Sequence, residues 1–368
     1  MNLITQLEQR AKEHPERIAL IEHDGQISYG ALYAKVCAGA DFLRSNSLSK
    51  SDCILILEPI SIHLYIHLLA VFHAGMSAMI VDPSAGKKVL SHCLDQCQPD
   101  GFIGSPKAHL LRLMNPNGRK IRRHFHTQGI VPFSRKWKTI AAHGKACGQA
   151  LPAPEPVDSE HPALITFTSG STGMPKAACR SHGFLLAQHE ALSEALTFKA
   201  GEVDLITLPI FAIANLASGM TSVIANTDLR FPANANSKAI YEQCTQHHVT
   251  RCAASPAFFQ RLQQDQLLPP FHTIYTGGAP VFPHRIDTMQ KDHPELNIVT
   301  VYGSTEAEPI SHIAWSDVSE QDHQAMQSGN GLLVGKAVSA TEVMICETEN
   351  NDKIGEIAVT GDHVLKGY

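Results

Sequence analysis

Apolar and polar positions along the chain follow two alternating periods. Leu3, Leu7 and Ala11 stand at helical spacing, and IALIEH and QISY then read as two extended segments joined by a turn at Asp24-Gly25. Helical patterns next alternate with short apolar runs: a helix over about 30–43, CILIL, a helix over 62–74, SAMIVD stopping at Pro83, a helix over 89–97, GFIG, and a helix over 108–114. Runs that are apolar at every position are strands buried on both faces, so the alternation predicts mostly parallel sheet covered by helices. The pattern fades over 115–144. Residues 151–162 (LPAPEPVDSEHP) hold four prolines and mark an extended connector. Beyond it come ALITFT, AACRSH, a helix over 184–196, LITLPI, an apolar helix over 213–225, a helix over 239–246, TRCAAS, a helix over 257–264, TIYTG and IVTVYGS. TEVMICE and GEIAVTG, separated by ENND, predict a small antiparallel unit near the end. The expected division is a first α/β lobe over 1–162, a second over 163–310 that carries the glycine-rich motifs, and a β-rich appendage over 311–368.

Composition narrows the class. Of 368 residues 43% are hydrophobic and 18% charged, a globular mix that excludes a disordered or fibrous chain. Thirty Lys and Arg against 35 Asp and Glu leave a net charge of −5, so the chain as a whole is not built around a polyanion, and no nucleic-acid partner is expected. Nine cysteines without a CxxC pair, and Glu8 and Glu13 where a leader needs an apolar core, predict a reduced, cytoplasmic protein. Residues 205–225 are uncharged and long enough to span a bilayer, but Pro209, Asn215 and Ser218 interrupt them. They read as a buried strand leading into a pocket-lining helix, with no transmembrane segment.

The chemistry lies in glycine-rich turns after apolar strands. In TSGSTGMPK at 168–176, Gly170 and Gly173 tolerate the positive φ that lets backbone N–H groups point inward together. Thr168, Ser169, Ser171 and Thr172 add hydroxyl donors, and Lys176 adds a positive charge, all suited to a polyphosphate. It is not a Walker A loop, because Pro175 precedes the lysine and no Ser or Thr follows it. TGGAP at 276–280 ends another strand with glycines against which a flat ring can lie. VYGSTE at 301–306 supplies Tyr302 to stack on a purine, Gly303 for close approach, Thr305 to donate to a phosphate and Glu306 to hold Mg²⁺. Other clusters read as structural: His63 and His67 as a helix-surface pair, Cys93 and Cys97 as core thiols beside Leu90 and Leu94, and Arg119, Lys120, Arg122 and Arg123 as a solvated basic loop.

These motifs, in this order and closed by GEIAVTG at 355–361 and Gly367-Tyr368, resemble those of the adenylate-forming superfamily of acyl-CoA synthetases, peptide-synthetase adenylation domains and luciferases. The resemblance covers the whole chain. It implies the large N-terminal domain of these enzymes, two α/β lobes with mostly parallel sheets plus a small antiparallel β appendage. The family's C-terminal lid domain, with its catalytic lysine, has no counterpart in these 368 residues. It further implies ATP and Mg²⁺, with CoA as an acyl acceptor. Adenine would lie at Gly278, Ala279 and Pro280 with Tyr302 stacked on it, the rest of the nucleotide at Gly303, Ser304 and Thr305, and the metal at Glu306 and Thr172. Phe211, Ala212 and Asn215 would line the acyl pocket, although the family's usual histidine after the aromatic is Ala212 here. The implied reaction is ATP-dependent activation of a hydrophobic, fatty-type carboxylic acid for transfer to CoA or another thiol. LPIFAIANLASG and VDPSAG resemble the fatty-acyl and β-lactone-forming branch, which keeps lactone formation from a 3-hydroxy acid open. A lidless nucleotide-binding module, with a cap domain or carrier protein supplied in trans, is the third reading.

Overall fold

Strands such as Cys53–Leu57 (CILIL) and Gly101–Gly104 (GFIG), which are apolar on both faces, can be satisfied only inside a sheet covered on both sides. In the computed structural model, which describes residues 2–81, 86–137, 151–168, 174–348 and 351–367, they form the middle of a seven-stranded sheet. Its order is Arg135–Lys136, Arg123–His126, Gly101–Gly104, Cys53–Leu57, Ser77–Ile80, Pro162–Thr168, Lys176–Ser181. All neighbours run parallel except the last two strands, an antiparallel hairpin. Ser28, Ser61 and Ser105 each cap a helix of this unit by accepting the N–H three residues on. Helix Ile62–His73 is buried at every position but His63, as expected of a central covering helix.

A second sheet has nine strands in the order Lys336–Ala337, Ala307–Ala314, Asn297–Ser304, Thr273–Gly277, Arg251–Ala254, Val203–Ile206, Thr221–Ile224, Ile18–Glu22, Gly25–Ser28. From Asn297–Ser304 to Ile18–Glu22 all pairings are parallel. Strands Glu342–Thr348 and Asn351–Thr360 form a separate antiparallel pair, with Val343 opposite Val359 and Ile345 opposite Ile357. Mixed α/β architecture with two large, mostly parallel sheets and a small antiparallel appendage is thus present.

The chain divides into two compact units: Met1–Ile18, Ile27–Leu186 and Leu365–Tyr368 form one, and Ala19–Gln26 with Ala187–Val364 the other. This corrects the expected boundary at 162/163. Strand Pro162–Thr168 joins the first unit's sheet, with Ala78 beside Leu164, and the chain changes unit inside helix His182–Leu196. A proline-rich connector marks a local break, but the sheet that the next strand joins is set by long-range pairing. The β-rich appendage also shrinks to the Glu342–Thr348/Asn351–Thr360 hairpin, since Ala307–Ala314 and Lys336–Ala337 extend the large sheet.

Three further expectations change. The apolar helix over 213–225 is a helix, Phe211–Ser218, that stops at Gly219 with φ of 75° and passes into strand Thr221–Ile224. β-Branched TSVI pairs between two other parallel strands there, which a uniformly apolar stretch does not distinguish from helix. The weakly patterned 115–144 region contains strands Arg123–His126 and Arg135–Lys136. His67 is not on a helix surface: it is 1% exposed, and its Nδ1 lies 2.5 Å from the Glu58 carboxylate. Among the described residues no three metal-ligating side chains cluster, and no helix is long and apolar enough to cross a membrane. Cys93 is fully buried with Leu90 and Leu94, and burial pushes its thiol up to about 11.

Candidate active site

Parallel strands present their carboxyl ends along one edge of a sheet, where α/β proteins collect ligands. In the second unit, Gly277 pairs with Val301, so Gly278, Ala279 and Pro280 leave one strand directly beside Tyr302 on the next. Gly278 has φ of 73°, and the GGAP turn is open to solvent. Tyr302 is half-buried, Ser304 and Thr305 are exposed, and Glu306 is half-buried. Thr305 and Glu306 form the two-residue turn of the hairpin between Asn297–Ser304 and Ala307–Ala314, with Ser304 opposite Ala307 and a register irregularity at Tyr302. The two motifs read from sequence as the adenine and metal turns are thus brought side by side. Strand Arg251–Ala254 ends next to them, with Ala254 opposite Thr276. Two buried hydroxyls at these adjoining ends, Ser255 Oγ and Thr276 Oγ1, have no hydrogen-bond partner among the described residues.

Two glycines have a structural reason beyond ligand approach. A Cβ at Gly277 would lie 2.1 Å from the Val301 carbonyl oxygen, and one at Gly303 2.9 Å from that of Ala307. Both are therefore required by strand contact, whereas Gly278 has open space around it and is required by its φ.

The phosphate-loop motif belongs to the first unit, at the hairpin between Pro162–Thr168 and Lys176–Ser181. Thr168 ends one strand and stands opposite Lys176, which opens the next and is exposed. His92 Nε2 donates to the Pro175 carbonyl at 3.0 Å and fixes the end of the turn. Ser169, Gly170, Ser171, Thr172 and Gly173 lie outside the described residues.

The expected acyl-pocket residues fare differently. Phe211 and Ala212 open helix Phe211–Ser218 and are 6% and 0% exposed, with Phe211 packed on Leu192, Leu196, Tyr275 and Val299. Asn215 is corrected from a pocket residue to a core one. It is fully buried and donates through Nδ2 to Asp204 (2.7 Å) and Ser222 (3.2 Å), because the strand beyond Gly219 folds back against its helix. Asp204 in turn faces Arg251, and burial pushes its carboxyl up to about 6 despite that guanidinium.

Sequence reading missed the residues that hold the Thr305–Glu306 hairpin. Gln188 Nε2 donates to the Glu308 carbonyl at 3.2 Å, and fully buried His363 donates through Nε2 to the Pro309 carbonyl at 2.9 Å, with Thr341 Oγ1 at 3.2 Å. Neither carries a motif signature, and His363 sits just beyond the GEIAVTG stretch. His363→Ala should leave a buried carbonyl without its donor, at a cost of about 1–3 kcal/mol. Faster amide exchange across Ala307–Ala314 and several-fold weaker ATP binding by calorimetry are the expected readings; His363→Gln should recover part of both.

Comparison with known proteins places these features in a wider set. The AMP-binding enzyme family matches residues 7–368. An olefin β-lactone synthetase of Stenotrophomonas maltophilia is 29% identical over a 398-residue alignment that covers all of this chain and 71% of that protein. One from Xanthomonas campestris pv. campestris is 30% identical over 404 residues, covering all of this chain and 70% of its own length. Among solved structures, a luciferase-like enzyme from the mealworm Zophobas morio superposes with a TM-score of 0.81 at 20% identity, covering all of this chain and 87% of that one.

Proposed function

Since the chain belongs to the AMP-binding enzyme family, we propose that it activates a hydrophobic 3-hydroxy carboxylic acid as its adenylate and closes that adenylate to a β-lactone. The observation that carries the adenylation step is the pairing of Gly277 with Val301, which sets the GGAP turn beside Tyr302 on the strand that leads into the Thr305–Glu306 turn. Similarity along the whole chain to two olefin β-lactone synthetases favours lactone closure over transfer to a thiol.

Adenylation joins two anions, so the protein's task is to position them and offset charge rather than to supply a nucleophile. Tyr302 stacks on the purine against the bare backbone of the GGAP turn. Thr305 donates its hydroxyl to the α-phosphate, and Lys176 lends its charge to the phosphates. Mg²⁺ suits the donor set, since it usually takes one or two carboxylates and completes its shell with phosphate oxygens and water. Glu306 would hold it, and when bound it would offset phosphate charge. The substrate carboxylate oxygen bonds to the α-phosphorus as the bond to pyrophosphate breaks. The 3-hydroxyl oxygen then attacks the acyl carbon, the acyl–phosphate bond breaks, AMP leaves, and the hydroxyl proton passes to solvent.

Incubation with ATP, Mg²⁺ and either a 3-hydroxy fatty acid or its deoxy analogue tests this. The hydroxy acid should yield AMP and a product lighter than the acid by one water, without CoA, while the deoxy acid should support only ATP–pyrophosphate exchange. A thioester formed only when CoA or a carrier thiol is present would replace lactone closure with acyl transfer. Absence of acid-dependent exchange would overturn adenylation itself and leave the binding-module reading.

A further inference from the structure

Residues 101–154 contain no aspartate or glutamate, yet hold ten of the chain's 30 lysines and arginines. The remainder has 20 basic residues against 35 acidic ones, so a protein of net charge −5 concentrates positive charge in one segment. In the first unit residues 101–137 build the outer part of the seven-stranded sheet, with strands Arg123–His126 and Arg135–Lys136 at its edge and helix Pro106–Leu113 preceding them. Arg119, Lys120, Arg122, Arg123, Arg135 and Lys136 are all exposed there.

The same edge carries large apolar side chains in water. In the loop between Arg123–His126 and Arg135–Lys136, Ile130 is 92% exposed and Phe133 101%. Phe133 has φ of 57°, a conformation that bulky residues rarely adopt. Val131, between them, is buried, and Ser134 Oγ bonds His126 Nδ1 at 3.2 Å, so the loop is anchored while its tips face outward. Gly129 lies against Pro106 at the start of the helix, whose Leu110, Leu113 and Met114 end are also exposed. Arg119 Nε donates to the Leu113 carbonyl at 2.6 Å, which places the basic cluster next to these apolar residues. Asp100 stands 2.6 Å from Arg122.

We propose that this edge of the first unit docks on an anionic membrane surface. Duplex nucleic acid, or an acidic protein surface poor in apolar residues, would use the charges without burying Ile130. A bilayer uses both, with the apolar tips in the headgroup–acyl boundary and the lysines and arginines among the lipid phosphates. The inference stands apart from the reading of the nucleotide site, because it draws on none of that site's residues.

Sedimentation with vesicles tests it. The protein should bind phosphatidylcholine–phosphatidylglycerol vesicles, bind phosphatidylcholine vesicles far less, and release as salt is raised. The exposed double variant Ile130→Ser/Phe133→Ser should bind the anionic vesicles roughly tenfold less while its retention on heparin is unchanged. Lys120→Glu/Lys136→Glu should weaken both, by at least about fivefold per lysine on vesicles. Unaltered melting of each variant would show that folding is intact. Equal binding to neutral vesicles, vesicle binding indifferent to the Ile130/Phe133 variant, or capture by heparin or poly-glutamate without vesicle binding would each overturn the proposal.

Discussion

Replacing Arg251 by methionine should destabilise the second unit by about 3–5 kcal/mol near pH 8 and by clearly less near pH 5. Arg251 is 3% exposed and lies between three kinds of partner. Its guanidinium meets Glu202 at 3.0 Å and Asp204 at 3.7 Å, donates to the Leu196 and Thr197 carbonyls, and stacks near Tyr275 and Phe198. Methionine keeps much of the volume but strands the Asp204 carboxylate in the core, and a buried charge deprived of its partner costs more than the pair was worth. The pH dependence follows from Asp204. Its ordinary value is 3.8 and burial raises it to about 6 in the folded chain, so between those values the folded state holds the extra proton. The stability this group allows is therefore complete below its unfolded value and falls as pH rises through about 6. Without Arg251 the carboxyl moves higher still, so the variant's penalty is largest where the carboxylate is forced to ionise. Amide exchange in strands Val203–Ile206 and Arg251–Ala254 reads this unit directly. An equal loss at both pH values would mean that packing, not charge, is what Arg251 supplies.

Glu306→Ala should lower Mg²⁺-dependent ATP–pyrophosphate exchange by about 100- to 1000-fold. The residue sits half-buried in a two-residue turn at a strand end. Its expected signature is a shift of the Mg²⁺ titration to higher concentration, which Glu306→Asp should partly reverse. Lys176→Ala, by contrast, should weaken ATP binding with little change in metal dependence, because a lysine offsets phosphate charge without ligating the ion. Unchanged ATP and Mg²⁺ titrations in both variants would remove the site assignment.

The candidate site was legible where its chemistry is local. A glycine at 278, an aromatic at 302 and hydroxyls and a carboxylate at 304–306 follow apolar runs within a few residues, whereas the glycines at 277 and 303 also answer to strand contacts that the local pattern does not show. What holds that turn was not legible. Gln188 and His363 reach Glu308 and Pro309 from 120 and 54 residues away, and an isolated glutamine or histidine carries no pattern. Asn215 misled for a related reason: a polar residue on an apolar helix reads equally as lining a pocket or as bonding a buried acid, until Asp204 is seen beside it.

Residue order alone determined the alternation of buried strands and covering helices, the glycine-bearing turns at strand ends and the late antiparallel hairpin, because each depends on backbone conformations and spacings within a few residues. Tertiary structure alone decided that Thr221–Ile224 is a strand rather than the end of a helix, that Ile18–Glu22 pairs beside it, and that Pro162–Thr168 joins Ser77–Ile80. An apolar run satisfies a helix and a sheet interior equally well, and the choice falls to hydrogen-bond partners that lie far along the chain.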